Sequence, residues 1–206
     1  MTQLFNGSKF NGDISEWNVS NVKTMHQMFI FSHFYGDISK WDVSNVENMC
    51  DMFRCSHFNG DISNWDVSNV KYMTGMFKDT FNFNKPLNNW NVSGVEDMSG
   101  MFDGSRRFNQ PLNNWDVSNV RDMAEMFCNC KFNQDINNWD VSGVEDMCCM
   151  FMHNQYFNKP LNNWDVSNVS MFASMFYAST FNQPIGKWNM SKAISLSGMF
   201  KGSKFN

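Results

Sequence analysis

Charge is scarce in this chain, and no part of it stays apolar for long. Asp, Glu, Lys and Arg make up only 17% of the 206 residues, and like charges never run beyond two in a row. A net charge of −4 and a pI near 5.5 argue against a general nucleic-acid binder, which needs clustered Lys and Arg to neutralise phosphates. No apolar stretch approaches the roughly 18 residues a membrane span requires, so membrane insertion is not expected. The opening MTQLFNGSKF lacks the basic-then-apolar pattern of a secretory signal. On that ground the protein is intracellular, or its targeting segment lies outside this sequence. Zinc knuckles are missing too: Cys128-x-Cys130 and Cys148-Cys149 have no CxxC spacing, and Cys50 and Cys55 stand apart. The six cysteines therefore read as free thiols, which favours a reducing compartment. No Ser-His-Asp grouping, glycine-rich phosphate loop or paired-acid motif stands outside a repeated element. Accordingly no catalytic residue, metal site or cofactor is expected, and the chain reads as no enzyme.

What is present is repetition. Phe108 to Phe127, FNQPLNNWDVSNVRDMAEMF, recurs with small changes from end to end. Every tryptophan (Trp17, Trp41, Trp65, Trp90, Trp115, Trp139, Trp164, Trp188) holds the same place in its copy, at spacings of 24, 24, 25, 25, 24, 25 and 24 residues. A fixed period in this range marks stacked repeats, so residues 1–206 are expected to form one array of about eight coils. A composition of 42% apolar residues suits a packed core.

Each copy carries eight apolar positions, in the first Phe10, Ile14, Trp17, Val19, Val22, Met25, Met28 and Phe29. Trp-x-Val alternates with period two and predicts a short strand over residues 16–19. Val22, Met25, Met28 and Phe29, spaced 3, 3 and 1, predict a short helix. A serine precedes that helix in every copy, and Ser44/Glu47, Ser93/Glu96 and Ser142/Glu145 have capping-box spacing. The fold class expected is α/β: a leucine-rich-repeat-like, right-handed solenoid with a strand and a helix per coil, or alternatively an all-β solenoid.

Other columns carry finer expectations. Asp or Asn after each Trp closes a turn through an N–H two residues on. The Asn after the core Phe (Asn11, Asn59, Asn84, Asn109 and onward, with Tyr35 the exception) forms a buried ladder between coils. Lys23, Glu47, Lys71, Glu96, Arg121 and Glu145 alternate in sign from copy to copy, which sets the register of stacking. Only the stretch between Met-Phe and the next Phe changes length, which places it in water.

If a face binds a ligand, its candidates flank the Trp column: Asn64, Asn89, Asn114, Asn138 and Asn163 on one side, Asp66, Asp116, Asp140 and Asp165 on the other. Such a strip suits a repetitive partner, a glycan or an extended peptide. The same Asp and Asn side chains also serve simply to close turns. His33 and His57 share a column near Cys55.

The unit FNxPLNNWDVSNVxxMxxMF resembles the repeat of BspA-family leucine-rich-repeat surface proteins, known also from mycoplasma-type surface lipoproteins. The likeness covers nearly the whole chain, and Trp, the Asp or Asn after it, the Ser two residues further on, and Met-Phe hold together eight times. It implies a solenoid used for adhesion or protein binding at a cell or particle surface. Against that pattern, the sequence in hand shows no signal-peptide, lipobox or anchor motif, so a surface location is not expected from these residues themselves. The expected function is thus a non-enzymatic scaffold binding a protein or glycan. The alternative is a self-assembling structural protein, joined head to tail through open coil ends.

Overall fold

The computed structural model describes residues 1–206. Successive copies lie one upon another as coils, and a single core cluster of 57 buried residues runs from Ile14 to Met199. Each core position of the repeat forms a column along the stack. Phe5, Phe29, Phe53, Phe77, Phe102, Phe127, Phe151, Phe176 and Phe200 make one ladder, with neighbouring ring centroids 5.3–5.8 Å apart. Phe58, Phe83, Phe108, Phe132, Phe157, Phe181 and Phe205 make a second at 6.1–6.3 Å. Within a coil the two ladders stack on each other, as Phe102 does on Phe108 at 3.9 Å. Rings offset at these distances add dispersion and quadrupole attraction to simple burial.

The coils contain no helix, and no sheet forms between them; this overturns the strand-plus-helix coil and its all-β alternative alike. All 90 backbone hydrogen bonds lie outside helices and strands. In place of the expected strand, the amide of Trp115 donates to Leu112 O and that of Val120 to Val117 O, so Trp-x-Val sits between two i→i+3 turns. In place of the helix, Met126 N donates to Met123 O and Cys128 N to Glu125 O, two further turns. The amides between them point along the stack: Met123, Glu125, Phe127 and Asn129 donate to the carbonyls of Asp146, Cys148, Met150 and Met152 in the next coil. The only parallel pairing is a one-residue bridge per coil, Thr24 to Asn48 to Tyr72 and on to Ser195, beyond the predicted strand.

The reason is spacing. A helix with its side chains is about 10–12 Å across. Coils whose Phe rings repeat every 5.3–5.8 Å leave no room for a helix in each. A helix would also spend on itself the amides that here join coil to coil. Turns resolve both problems while leaving Met, Met and Phe inward. They require left-handed residues, and the chain supplies two in nearly every copy. One precedes Met-Phe (Gln27, Asp51, Gly75, Gly100, Glu125, Cys149, Ser174, Gly198) and one follows it by two residues (Phe31, Cys55, Asp79, Gly104, Asn129, His153, Ala178, Gly202), with φ between 48° and 71°. Non-glycine residues at such φ cost about 1–2 kcal/mol each, which the inter-coil bonds offset.

With no helix, the serines cap nothing. Ser44 N and Oγ both donate to Asp42 Oδ1, at 3.1 and 2.6 Å, while the Glu47 amide donates to Lys23 O in the preceding coil. The turn expected of Asp or Asn after Trp is present in all eight copies.

Candidate functional site

Most of what recurs in the sequence is bonded within the stack. Each indole from Trp41 to Trp188 donates Nε1–H to the Ile or Leu carbonyl of the coil before it, at 2.9–3.1 Å. The Asn after the core Phe forms its ladder by accepting the next coil's amide on Oδ1, from Asn84→Asn59 to Asn206→Asn182. That column is exposed or half-exposed, not buried. Tyr35 donates its own amide to Asn11 Oδ1 and, having no side-chain carbonyl, accepts none from Asn59. A second Asn column closes on the preceding serine carbonyl, as Asn45 Nδ2 does on Ser20 O. Where Gly143 replaces it, the backbone approaches so closely that a Cβ would lie 2.8 Å from Ser118 O.

The buried polar residues fall in one column, Ser32, Ser56, Thr80, Ser105, Asn154 and Ser179, just before the second Phe ladder. Cys130 occupies the same place and points its thiol at Ser105 O, 3.3 Å away. This column explains the variable length. In short copies the following Phe amide donates to the serine hydroxyl, as Phe58 N does to Ser56 Oγ. In two long copies it donates to the backbone carbonyl instead (Phe83 to Thr80, Phe108 to Ser105), and the freed hydroxyl turns back to Phe53 O or Phe77 O. The extra residues are exposed, as length tolerance implied.

The predicted Asn and Asp strip lies on the surface in two columns. Asp66, Asp116, Asp140 and Asp165 each accept an amide from the serine two residues on. The serine hydrogen bonds hold the Asp116 and Asp165 carboxyls below the usual range. Asn114 donates its backbone amide to Asn88 Oδ1 and accepts from Asn113 Nδ2 on its own Oδ1, and Asn163 does the same with Asn137 and Asn162. Asn138 donates to Asn113 O. Asn138 and Asn163 meet Asn113, Asp135 and Asn137 around an open cleft of about 420 Å³. Asn64 and Asn89 stand exposed higher in the same column.

Of the alternating charges, Lys23–Glu47 and Arg121–Glu145 pair at 3.3 and 3.2 Å. His33 and His57 stack edge-on at 4.8 Å, whereas Cys55 faces Asp79 Oδ2 rather than the imidazoles. All six thiols are free. Burial pushes them upward, Cys130 to about 12 and Cys148 to about 11, so they stay protonated near neutral pH.

Two groupings escaped the sequence. Lys78 reaches across two coils to Asp103 (2.8 Å) and Glu125 (3.0 Å). Burial opposes its charge, and the hydrogen bonds it donates to the two carboxylates outweigh burial and raise its pKa. The second lies on the corner between the buried hydroxyl column and the second Phe ladder. Its residues are Lys9, His33, His57, Phe81-Asn82, Arg106-Arg107, Lys131, Gln155-Tyr156, Thr180 and Lys204, and none is acidic. Reading column by column beyond the apolar positions would have found it.

This fold and surface define a repeat protein, a stack of near-identical coils whose recurrent residues bond to their neighbours. The chain belongs to the family described as Mycoplasma protein of unknown function, DUF285, which matches it over residues 1–55, 30–131 and 110–206. No curated protein matches the chain. Nor does any solved structure.

Proposed function

We propose that the protein is a non-enzymatic scaffold that binds another protein through the side chains that differ between its coils. The observation that carries this reading is the division of labour along the stack. Trp, the Asx-turn Asp and Ser, both Asn columns and both Phe ladders are engaged with adjacent coils or their own turn. Sites available to a partner are therefore the variable exposed ones, above all the corner after Met-Phe. The resemblance of the repeat unit to that of BspA-type surface proteins supports an adhesion role at a cell or particle surface. A glycan remains the competing ligand, suited to the Asn cleft around Asn138 and Asn163. Screening the intact chain on protein and glycan arrays tests the reading. Binding of a protein partner is expected; binding to neither array contradicts it.

A second reading, end-to-end self-association, draws on apolar side chains open at the outer coil faces: Leu4, Phe10 and Trp17 on one, Ile194 and Leu196 on the other. Light scattering at rising concentration, with electron microscopy for fibres, separates the two. Ordered fibres without any ligand favour assembly over binding.

A further inference from the structure

We propose that the corner formed by Phe81, Arg106, Arg107, Lys131 and Tyr156 is a binding surface for an extended acidic polypeptide segment. This inference rests on the protein-binding reading and names the chemistry of the partner. On a chain of net charge −4, three cations stand on two adjacent coils, all exposed. None of the three takes part in an ion pair, whereas Lys23, Lys40, Arg54, Lys78 and Arg121 all do. Two open clefts flank the ridge they form. One, of about 390 Å³, is lined by Phe81, Asn82, Arg106, Arg107 and Lys131. The other, of about 370 Å³, continues past Arg106 and Lys131 to His153 and Tyr156. Neither lining contains a carboxylate, so the field over the corner is positive against an acidic background, which concentrates anions there.

Geometry selects an extended peptide among anions. Equivalent rings on these coils are 6.1–6.3 Å apart. Alternate side chains of an extended chain repeat every ~6.7 Å on one face, so an acid at every second residue meets each coil in turn. Arg106 and Arg107 offer planar forks suited to carboxylates. Phe81 and Tyr156, each about half exposed, bound the cations at either end and supply apolar contact. Single-stranded nucleic acid fits less well. One face of each ring is already covered, by Arg106 at 5.4 Å and Lys131 at 5.6 Å, which removes the open stacking platforms such ligands use. The chain's net negative charge also repels a long polyanion.

The test is fluorescence-anisotropy titration of the full chain with a labelled twelve-residue peptide alternating Glu and Val. The proteins compared are the wild type, the triple substitution R106Q/R107Q/K131Q, and a control, K40Q, at a paired lysine on another face. Binding that weakens with salt, falls on the order of tenfold or more in the triple variant, and is unchanged in K40Q is expected. Circular dichroism and the urea midpoint confirm that these surface changes leave the fold intact. Undiminished binding by the triple variant overturns the assignment, as does no peptide binding, or tighter binding of a sulfated oligosaccharide or of single-stranded RNA. In each of those cases the wider protein-binding reading stands or falls separately, by whether the arrays find a protein partner.

Discussion

Trp115 occupies a buried site with its indole nitrogen 2.9 Å from Leu87 O, the carbonyl of the coil before. Replacing it by Phe leaves that carbonyl with one donor of its two, the Trp90 amide at 3.0 Å. The substitution is expected to cost about 1–3 kcal/mol in urea unfolding, because it removes a hydrogen bond worth about 0.5–1.5 kcal/mol and leaves a void where the larger indole packed. Trp17→Phe costs less, since Trp17 is 39% exposed and has no such bond. The turn carboxylates supply a pH signature. Hydrogen bonds from serine lower the pKa of Asp13, Asp37, Asp42, Asp61, Asp116 and Asp165. A group lowered by folding contributes stability that is present above its unfolded value of about 3.9 and is lost as pH falls through the folded value. Asp122 has the opposite sign: burial raises its pKa, so its charge weighs against folding at neutral pH. The urea midpoint should therefore hold from pH 7 to 5 and drop below about 4. Asp122→Asn, which keeps an acceptor for the Ala124 amide, should raise the midpoint at pH 7. A midpoint that climbs on acidification to pH 3 would contradict the assignment of the six turn carboxylates.

At the scale of the coil, the hydroxyl column gives the second Phe amide two equivalent acceptors, one side-chain and one backbone. Deleting Asn82 should therefore convert a long coil to a short one, with Phe83 N moving to the Thr80 hydroxyl. The expected cost is below about 1 kcal/mol, typical of an exposed change; a loss of several kcal/mol would show that loop length is fixed by something else. The coil is also where the sequence was least legible. The inward positions (Val117, Val120, Met123, Met126 and Phe127) were readable from apolar recurrence, and the Asx turn at Asp116–Ser118 from residue type. The helix was not there because spacings of 3, 3 and 1 fit consecutive i→i+3 turns as well as one helical face. Glycine at 75, 100 and 198, each just before Met-Phe, was the signal for positive φ. It was hidden by Gln27, Glu125 and Ser174 at the same place in other copies. The surface strip flanking Trp was legible as to exposure, but the basic corner was not, because its residues share only the absence of acids.

Along the whole molecule, the recurrent Trp and Asn side chains and the amides around each Met-Phe find their partners in the adjacent coil, so stability should add coil by coil. Removing Asn109 to Phe132 joins Phe108 to Asn133 in the same phase of the repeat and brings Trp139 over Leu87. The shortened chain should fold and unfold cooperatively at a lower urea midpoint than the parent; a chain that fails to fold would show that the copies are not interchangeable. The central claim is that the segment once legible as a helix instead hands its amides to the neighbouring coil. Scalar coupling across hydrogen bonds, measured by NMR on the deuterated, isotope-labelled chain, reads this directly. The Phe102 amide nitrogen should couple to the carbonyl carbon of Met126, whose oxygen lies 3.0 Å from it. Coupling to Met98, four residues back in the same coil, would mean a helix and would contradict the account.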